Sequence, residues 1–128
     1  MKPLTREWVE KAEGDFQTAQ REMRARKSPN FDSATFHAQQ CVEKYLKARL
    51  QEAGINFPHT HDLESLLNLA LPAQPLWAVL KSSARILTQY AVKSRYPGSW
   101  VTRIQAMEAV ARCRDIRRHI RQSLGLRT

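Results

Sequence analysis

The sequence has few of the features that define specialised protein classes. Its 128 residues include four Gly and six Pro, which excludes collagen-like and low-complexity chains. No apolar run approaches the roughly 18 residues that cross a bilayer. The N-terminal stretch MKPLTREWVEKAEGDF is charged and lacks the apolar core of a secretory signal. We therefore expect a cytoplasmic protein without membrane contact, folded as one domain over residues 1–128.

Cysteine is also scarce, and histidine lacks the neighbours that a metal site requires. Cys41 and Cys113 are far apart without CxxC or zinc-knuckle spacing, and both fall among apolar residues. Two buried free thiols are the simplest interpretation. The four histidines have no acidic or cysteine partners at convincing ligand spacing. The chain also lacks a glycine-rich phosphate loop, so we expect no metal and no cofactor.

Acidic residues are outnumbered, and the excess of basic residues is concentrated at one end. Twenty-one Lys and Arg oppose twelve Asp and Glu, for a formal charge of +9. Residues 101–128 contain seven bases, all arginine, and only two acids, Glu108 and Asp115. Guanidinium groups form paired hydrogen bonds with phosphate and carboxylate. This segment therefore predicts a polyanion-binding surface, with RNA or nucleotides as the leading ligands. A solvated helix face that meets an acidic protein is the alternative.

Apolar residues spaced three and four apart predict five helices and no strand. The expected spans are Thr5–Ala25, Asp32–Gly54, Leu63–Ala70, Leu76–Ser94 and Thr102–Gly125. Thr5 is the expected N-cap of the first helix, and Asp62 or Thr60 that of the third. The run from Thr102 to Gln105 has the pattern of a capping box. The short connections favour antiparallel neighbours. The predicted fold class is therefore all-α, an up-down bundle of four long helices plus one short helix.

The last predicted helix carries the first candidate site. At about 100° per residue, Arg112, Asp115 and His119 share one outer ridge. Arg114 and Arg118 share another. A histidine can transfer a proton in phosphodiester cleavage, an arginine can hold the phosphate, and Asp115 could orient His119. An ordinary surface ion-pair ladder has the same spacing, so both interpretations stay open.

Two other places hold candidate binding residues. Arg95 and Tyr96 lie together after the fourth predicted helix, where an arginine can hold a phosphate and an aromatic ring can stack on a base. Tyr96 and Trp100 could equally plug the end of the bundle. Lys44 and Lys47 lie on the polar side of the second helix, which we expect to be mainly solvated. The side chain of His61, just before the third helix, is expected to form local hydrogen bonds.

Three segments occur together in an order that is typical of one family. They are FHAQQCVEKYLKA at residues 36–48, PHTHDL at residues 58–63 and SRYP at residues 94–97. Together they resemble the HEPN domain (higher eukaryotes and prokaryotes nucleotide-binding). The resemblance implies an all-α bundle, usually a homodimer. It also implies frequent pairing with a minimal nucleotidyltransferase in toxin–antitoxin or defence systems.

Many members of the wider HEPN family are metal-independent ribonucleases with the motif Arg, four to six residues, then His. Arg114 precedes His119 by four intervening residues and Arg112 precedes it by six. The resemblance implies Arg114 and His119 as the catalytic pair, whereas helix geometry favours Arg112. Arg112 and Arg118 are then candidate residues for binding RNA or a nucleotide.

Not every feature of the family is present. In one toxin branch a Tyr two residues after the His is adenylylated by the partner enzyme, and position 121 is Arg here. Other members lack nuclease activity and are regarded as nucleotide-binding or partner modules. A non-catalytic nucleotide- or RNA-binding module is therefore the alternative to a ribonuclease.

Overall fold

Five α-helices and one 3-10 helix make up the computed structural model, which describes all residues from Met1 to Thr128 and has no strand. The α-helices are α1 (Pro3–Arg24), α2 (Phe31–Ala53), α3 (Leu63–Ala70), α4 (Lys81–Arg95) and α5 (Arg103–Ser123). The 3-10 helix, Pro75–Leu80, leads directly into α4. No helix combines the length and hydropathy of a membrane span. The predicted all-α bundle with four long helices and one short helix is confirmed.

Several helix ends follow from local side-chain chemistry that the sequence predicts. Asp62 caps α3 by accepting a hydrogen bond of 3.1 Å from the Glu64 amide. Thr102 and Gln105 form the predicted capping box at the start of α5. Gly54 ends α2 with φ of 70°, a left-handed conformation that a residue without Cβ adopts at little cost.

Two predicted boundaries are wrong. α1 begins at Pro3 rather than at Thr5, because a proline lacks the amide hydrogen that the first helical turn leaves unsatisfied. Thr5 is buried inside the helix and its hydroxyl has no hydrogen-bond partner. The predicted helix Leu76–Ser94 consists of two elements, because Pro75 opens a 3-10 turn and regular α-helix begins only at Lys81.

α2 is the central helix of the bundle. It contacts each of the other four α-helices, and twelve of its 23 residues are buried. The expectation of a mainly solvated polar side is therefore wrong: Gln39, Glu43 and Lys47 are all buried. A helix surrounded on every side has no solvent-facing stripe, so its polar side chains must find partners inside the protein.

The core stripes of the later helices lie where the apolar spacing places them. The buried residues of α4 and α5 are Ala84, Leu87, Ala91, Ala106, Ala109, Val110, Cys113, Ile116 and Ile120. Cys41 and Cys113 are fully buried free thiols, as predicted. Burial, together with the neighbouring Cys113 thiol, raises the pKa of Cys41. The Cys41 thiol therefore stays protonated and unreactive at neutral pH.

The carboxylate of Glu13 on α1 holds α5 against the rest of the bundle through hydrogen bonds and an ion pair. Glu13 accepts two hydrogen bonds of 2.7 Å from Arg117, whose guanidinium lies 4.4 Å from the centre of the Phe16 ring. Glu13 also accepts a hydrogen bond from the Tyr45 hydroxyl, and Arg121 lies 3.7 Å away. Burial alone would raise the pKa of Glu13. Hydrogen bonds from Arg117 and Tyr45 and the charges of both arginines outweigh burial, so this pKa is lower than usual.

Replacing Glu13 with glutamine tests how much the ion pair with Arg117 stabilises the fold. Arg117 is only 12% exposed, so the substitution leaves a largely buried charge without its partner. We expect the free energy of unfolding at pH 7 to fall by about 2–4 kcal/mol, measured by urea denaturation. Glu10→Gln, on the exposed side of α1, is the matched control and should change stability by less than about 0.5 kcal/mol.

The pH dependence of this effect has a defined sign. A carboxylate with a lowered folded pKa contributes its full stabilisation above its unfolded pKa of about 4.3. That contribution is lost as the pH falls through the lower folded value. The difference in stability between wild type and Glu13→Gln should therefore narrow as the pH falls below about 4.3. Equal stability of wild type and Glu13→Gln at pH 7 would contradict this role of the Glu13–Arg117 ion pair. A stability difference that stays constant in acid would contradict it as well.

Candidate functional site

The seven arginines of residues 101–128 differ in whether a carboxylate neutralises them. Four of them pair with a carboxylate of the chain: Arg112, Arg117, Arg118 and Arg121. Arg114 is exposed and lies in the middle of this group, yet no carboxylate pairs with it. Of the arginines in the C-terminal half of α5, Arg114 is therefore the one that can bind an external anion without first breaking an ion pair.

An open pocket of about 310 Å³ lies beside Arg114, and we call it the arginine pocket. Its lining residues are Ala111, Arg114, Asp115, Arg117, Arg118 and Thr128. The Arg114 guanidinium lies 5.9 Å from the centre of the Phe16 ring, which positions this side chain against α1. Arg117 and Arg118 at this opening are paired with Glu13 and Asp115, so Arg114 is the guanidinium here that can bind phosphate oxygens directly.

His119 has a ring orientation that is fixed by its own helix. Its Nδ1 lies 2.8 Å from the backbone carbonyl oxygen of Asp115. A carbonyl oxygen can only accept, so Nδ1 carries the hydrogen and Nε2 is left free to accept a proton. The side chain is 33% exposed. The backbone of Asp115 therefore orients the imidazole, whereas we expected its carboxylate to do so; that carboxylate pairs with Arg118 and lies 3.7 Å from Nδ1.

Arg112 links α5 to α4 and does not bind His119. Its guanidinium donates to the Glu108 carboxylate at 2.8 and 3.1 Å and to the Ser83 hydroxyl at 2.9 Å. Glu108 also accepts from the Tyr90 hydroxyl at 2.7 Å. The hydrogen bonds from Tyr90 and Arg112 lower the pKa of Glu108. Arg112, which helix geometry favoured as the partner of His119, is thus engaged by other groups.

Arg114 and His119 lie on different faces of a single chain. α5 is continuous from Arg103 to Ser123, so a separation of five residues turns the two side chains about 140° apart around the helix axis. Arg114 lies against Phe16 of α1 and lines the arginine pocket, which His119 does not. Their role as a catalytic pair stays a prediction, and one chain alone does not bring them together.

Lys44 and Lys47, two candidate ligand-binding residues, already have partners inside the protein. The ammonium of Lys44 lies 2.6 Å from the buried carboxylate of Asp15. The ammonium of Lys47 lies 3.0 Å from Glu43 and 5.6 Å from the centre of the Trp8 ring. Only 8% of the Lys47 side chain is exposed. Their part in RNA or nucleotide binding stays a prediction, and a ligand would have to compete with these carboxylates.

The loop that contains His61 is fastened to α2, so the expectation of local hydrogen bonds for His61 is wrong. Nδ1 of His61 lies 2.9 Å from the Glu43 carboxylate, 18 residues away. The His61 carbonyl accepts a hydrogen bond of 2.9 Å from the Gln39 side chain. Lys47 binds the second oxygen of Glu43. One buried carboxylate therefore fixes the chain just before α3.

Arg95 and Tyr96 are both exposed at the end of α4. The Arg95 guanidinium lies 5.4 Å from the centre of the Phe36 ring. Tyr96 is 64% exposed, so the alternative in which its ring plugs the end of the bundle is wrong. The structure keeps this arginine and this aromatic ring side by side on the surface, and their binding role stays a prediction.

The architecture defines a class of protein: an up-down helical domain whose last helix carries a basic face. The sequence matches the HEPN domain over residues 5–123, and the protein belongs to the HEPN domain family. The structure is similar to the crystal structure of TT1696 from Thermus thermophilus, with a TM-score of 0.79. The two are 26% identical, and the match covers 92% of this chain and 96% of that one. No curated protein matches the sequence. Family membership supports a general role with nucleotides or RNA.

Replacing Glu43 with glutamine tests the attachment of the loop before α3. Lys47 would stay buried without its counter-charge and His61 would lose its anchor. We expect the free energy of unfolding to fall by about 2–4 kcal/mol and the amides of residues 59–63 to exchange hydrogen faster. Glu7→Gln, at an exposed position of α1, is the control. Wild-type exchange rates in Glu43→Gln would show that the loop is held by other contacts.

Proposed function

We propose that this HEPN protein binds RNA at the arginine pocket and cleaves it as a metal-independent endoribonuclease through Arg114 and His119. The proposal rests on a difference between Arg114 and its neighbouring arginines on α5. Carboxylates neutralise the other arginines around this site, whereas Arg114 is unpaired beside an open pocket. On the same helix, Nε2 of His119 is free because Nδ1 is held by a backbone carbonyl.

The proposed chemistry is a transesterification within the RNA strand. Nε2 of His119 accepts the proton of a ribose 2′-hydroxyl, and the resulting oxygen attacks the adjacent phosphorus. The bond between that phosphorus and the 5′-oxygen of the next nucleotide breaks. The protonated imidazole of His119 gives its proton to the departing 5′-oxygen. Arg114 binds the non-bridging oxygens and stabilises their growing negative charge. The products are a 2′,3′-cyclic phosphate and a 5′-hydroxyl.

A homodimer is part of the proposal. Arg114 and His119 lie about 140° apart on one helix, so a second copy is needed to bring the guanidinium of one chain to the imidazole of the other. Two-fold dimers are the commonest assembly of small proteins and would contain two equivalent composite sites. A minimal nucleotidyltransferase, in a toxin–antitoxin or defence system, is the further partner that family membership suggests. The position of the tyrosine modified in one toxin branch holds Arg121, which donates to Tyr45 at 2.9 Å.

A non-catalytic nucleotide-binding module is the second candidate. The separation of Arg114 from His119 on an undistorted α5 favours it, since phosphate binding requires only the guanidinium groups. In that case ATP, GTP or short RNA should bind with heat detectable by calorimetry. Binding would weaken in Arg114→Ala, remain in His119→Ala, and lead to no cleavage.

The His119→Ala substitution tests the proposed acid–base chemistry. We expect the rate of RNA cleavage to fall by about 10²–10⁴-fold, and EDTA to leave the wild-type rate unchanged. His59→Ala is the matched control, because His59 is exposed in a loop and makes no hydrogen bond. Wild-type cleavage by His119→Ala, or cleavage that stops when EDTA is added, would contradict the mechanism.

A subunit-mixing experiment tests whether the site is shared between two copies. Arg114→Ala and His119→Ala should each be inactive alone. When the two variants are co-expressed, random pairing should restore about a quarter of wild-type cleavage, since half of the dimers contain one intact composite site of two. Absence of restored activity, with light scattering confirming mixed dimers, would show that the two residues do not combine across an interface.

A further inference from the structure

The loop between α4 and α5 exposes two large aromatic side chains. Trp100 is 80% exposed and Tyr96 is 64% exposed, whereas Trp77 in the core is 5% exposed. Ile104, in the first turn of α5, is 78% exposed as well. Exposed Trp and Tyr side chains are enriched at binding surfaces, because their rings provide apolar area together with a polar group. The proposed cleavage chemistry gives Trp100 no role.

The backbone that carries these rings is held at several points. Gly98 turns the chain with φ of 87°. The amide of Val101 donates a hydrogen bond of 2.9 Å to Asp32 on α2. The capping box of Thr102 and Gln105 follows at once. A ring presented on a fixed backbone loses little conformational entropy when a ligand covers it.

The charged side chains that the loop and its two flanking helices contribute between Glu64 and Glu108 are all basic. No Asp or Glu occurs between Glu64 and Glu108. The bases of that segment are Lys81, Arg85, Lys93, Arg95 and Arg103. Asp32 of α2 is the acid that contacts the loop: one of its carboxylate oxygens accepts from the Val101 amide, and it lines the same pocket as Trp100. Exposed aromatic rings on a segment with an excess of basic side chains are a combination that binds single-stranded nucleic acid, because bases stack on the rings and cations hold the phosphates.

We infer that Tyr96 and Trp100 form a platform on which bases of single-stranded RNA stack, with Arg95 and Arg103 contacting the phosphates. This inference rests on the proposed function, since the platform would direct the RNA strand along α5 towards His119. At a rise of about 1.5 Å per residue, the start of α5 lies about 25 Å from His119. With stacked nucleotides about 3.4 Å apart, about seven span that distance. Bases of a duplex are already stacked on one another, so the platform favours single strands.

Substitutions of Trp100 separate base stacking from simple burial of apolar surface. Trp100→Leu keeps apolar bulk without a π face, and Trp100→Phe keeps an aromatic ring. The probe is a fluorescent 2′-O-methyl RNA of about ten nucleotides, which cannot undergo 2′-hydroxyl attack. By fluorescence anisotropy, we expect Kd to rise about tenfold or more in Trp100→Leu and about twofold or less in Trp100→Phe. A duplex of the same length should bind wild type more weakly and respond to neither substitution.

The outcomes that overturn the inference are distinct from failure of the proposed function. Equal affinity of wild type and Trp100→Leu, or equal losses in the Leu and Phe variants, would exclude base stacking. Dissociation of a dimer by Trp100→Leu at unchanged RNA affinity, seen by light scattering, would assign the surface to a second copy of the chain. Trp100→Leu could weaken RNA binding much more than Trp100→Phe while His119→Ala cleaves like wild type. That result would support the stacking platform and contradict the nuclease mechanism.

Discussion

The ion pair between Glu13 and Arg117 fastens α5 to α1 at the rotation that its buried apolar stripe defines, and the rest of the candidate site depends on that rotation. With Arg117 turned towards α1, Arg114 comes to lie against Phe16 at the edge of the arginine pocket. The same rotation puts Arg112 against Ser83 of α4. His119 is seven residues further along and therefore only about 20° from Arg112 around the axis, so it lies on the α4 side. One helix thus offers a phosphate-binding group on one side and a proton-transfer group on the other.

Carboxylates decide which of the many basic side chains can meet a ligand. A formal charge of +9 attracts polyanions to the whole surface, yet local pairing determines where a phosphate is held. Asp15 and Glu43 turn Lys44 and Lys47 inward on α2, and Glu13 does the same to Arg117. The unpaired guanidinium of the arginine pocket and the aromatic loop between α4 and α5 are two surfaces that remain accessible. Net charge therefore indicates the class of ligand, whereas ion pairing selects the residues that bind it.

Local features of the fold could be predicted from the sequence, because caps and apolar stripes are encoded by residues within a few positions of each other. α3, the capping box of α5 and the left-handed Gly54 are examples. The contact between Glu13 and Arg117 joins residues 104 positions apart, and no spacing along either helix encodes it. The burial of α2 was missed for the same reason, since its surroundings depend on how four other helices pack. In the site, the exposure of Arg114 could be anticipated, but its freedom from carboxylates depends on that packing.

The most direct test of this account is to observe the arginine side chains while RNA binds. In NMR spectra of the Nε–Hε groups, titration with an uncleavable 2′-O-methyl RNA should shift the Arg114 signal strongly and leave Arg117 nearly unmoved, because Glu13 already holds Arg117. The His119 ring should keep its hydrogen on Nδ1 while its Nε2 signal moves. A shift at Arg117 with none at Arg114, or a hydrogen on Nε2 of free neutral His119, would contradict the account.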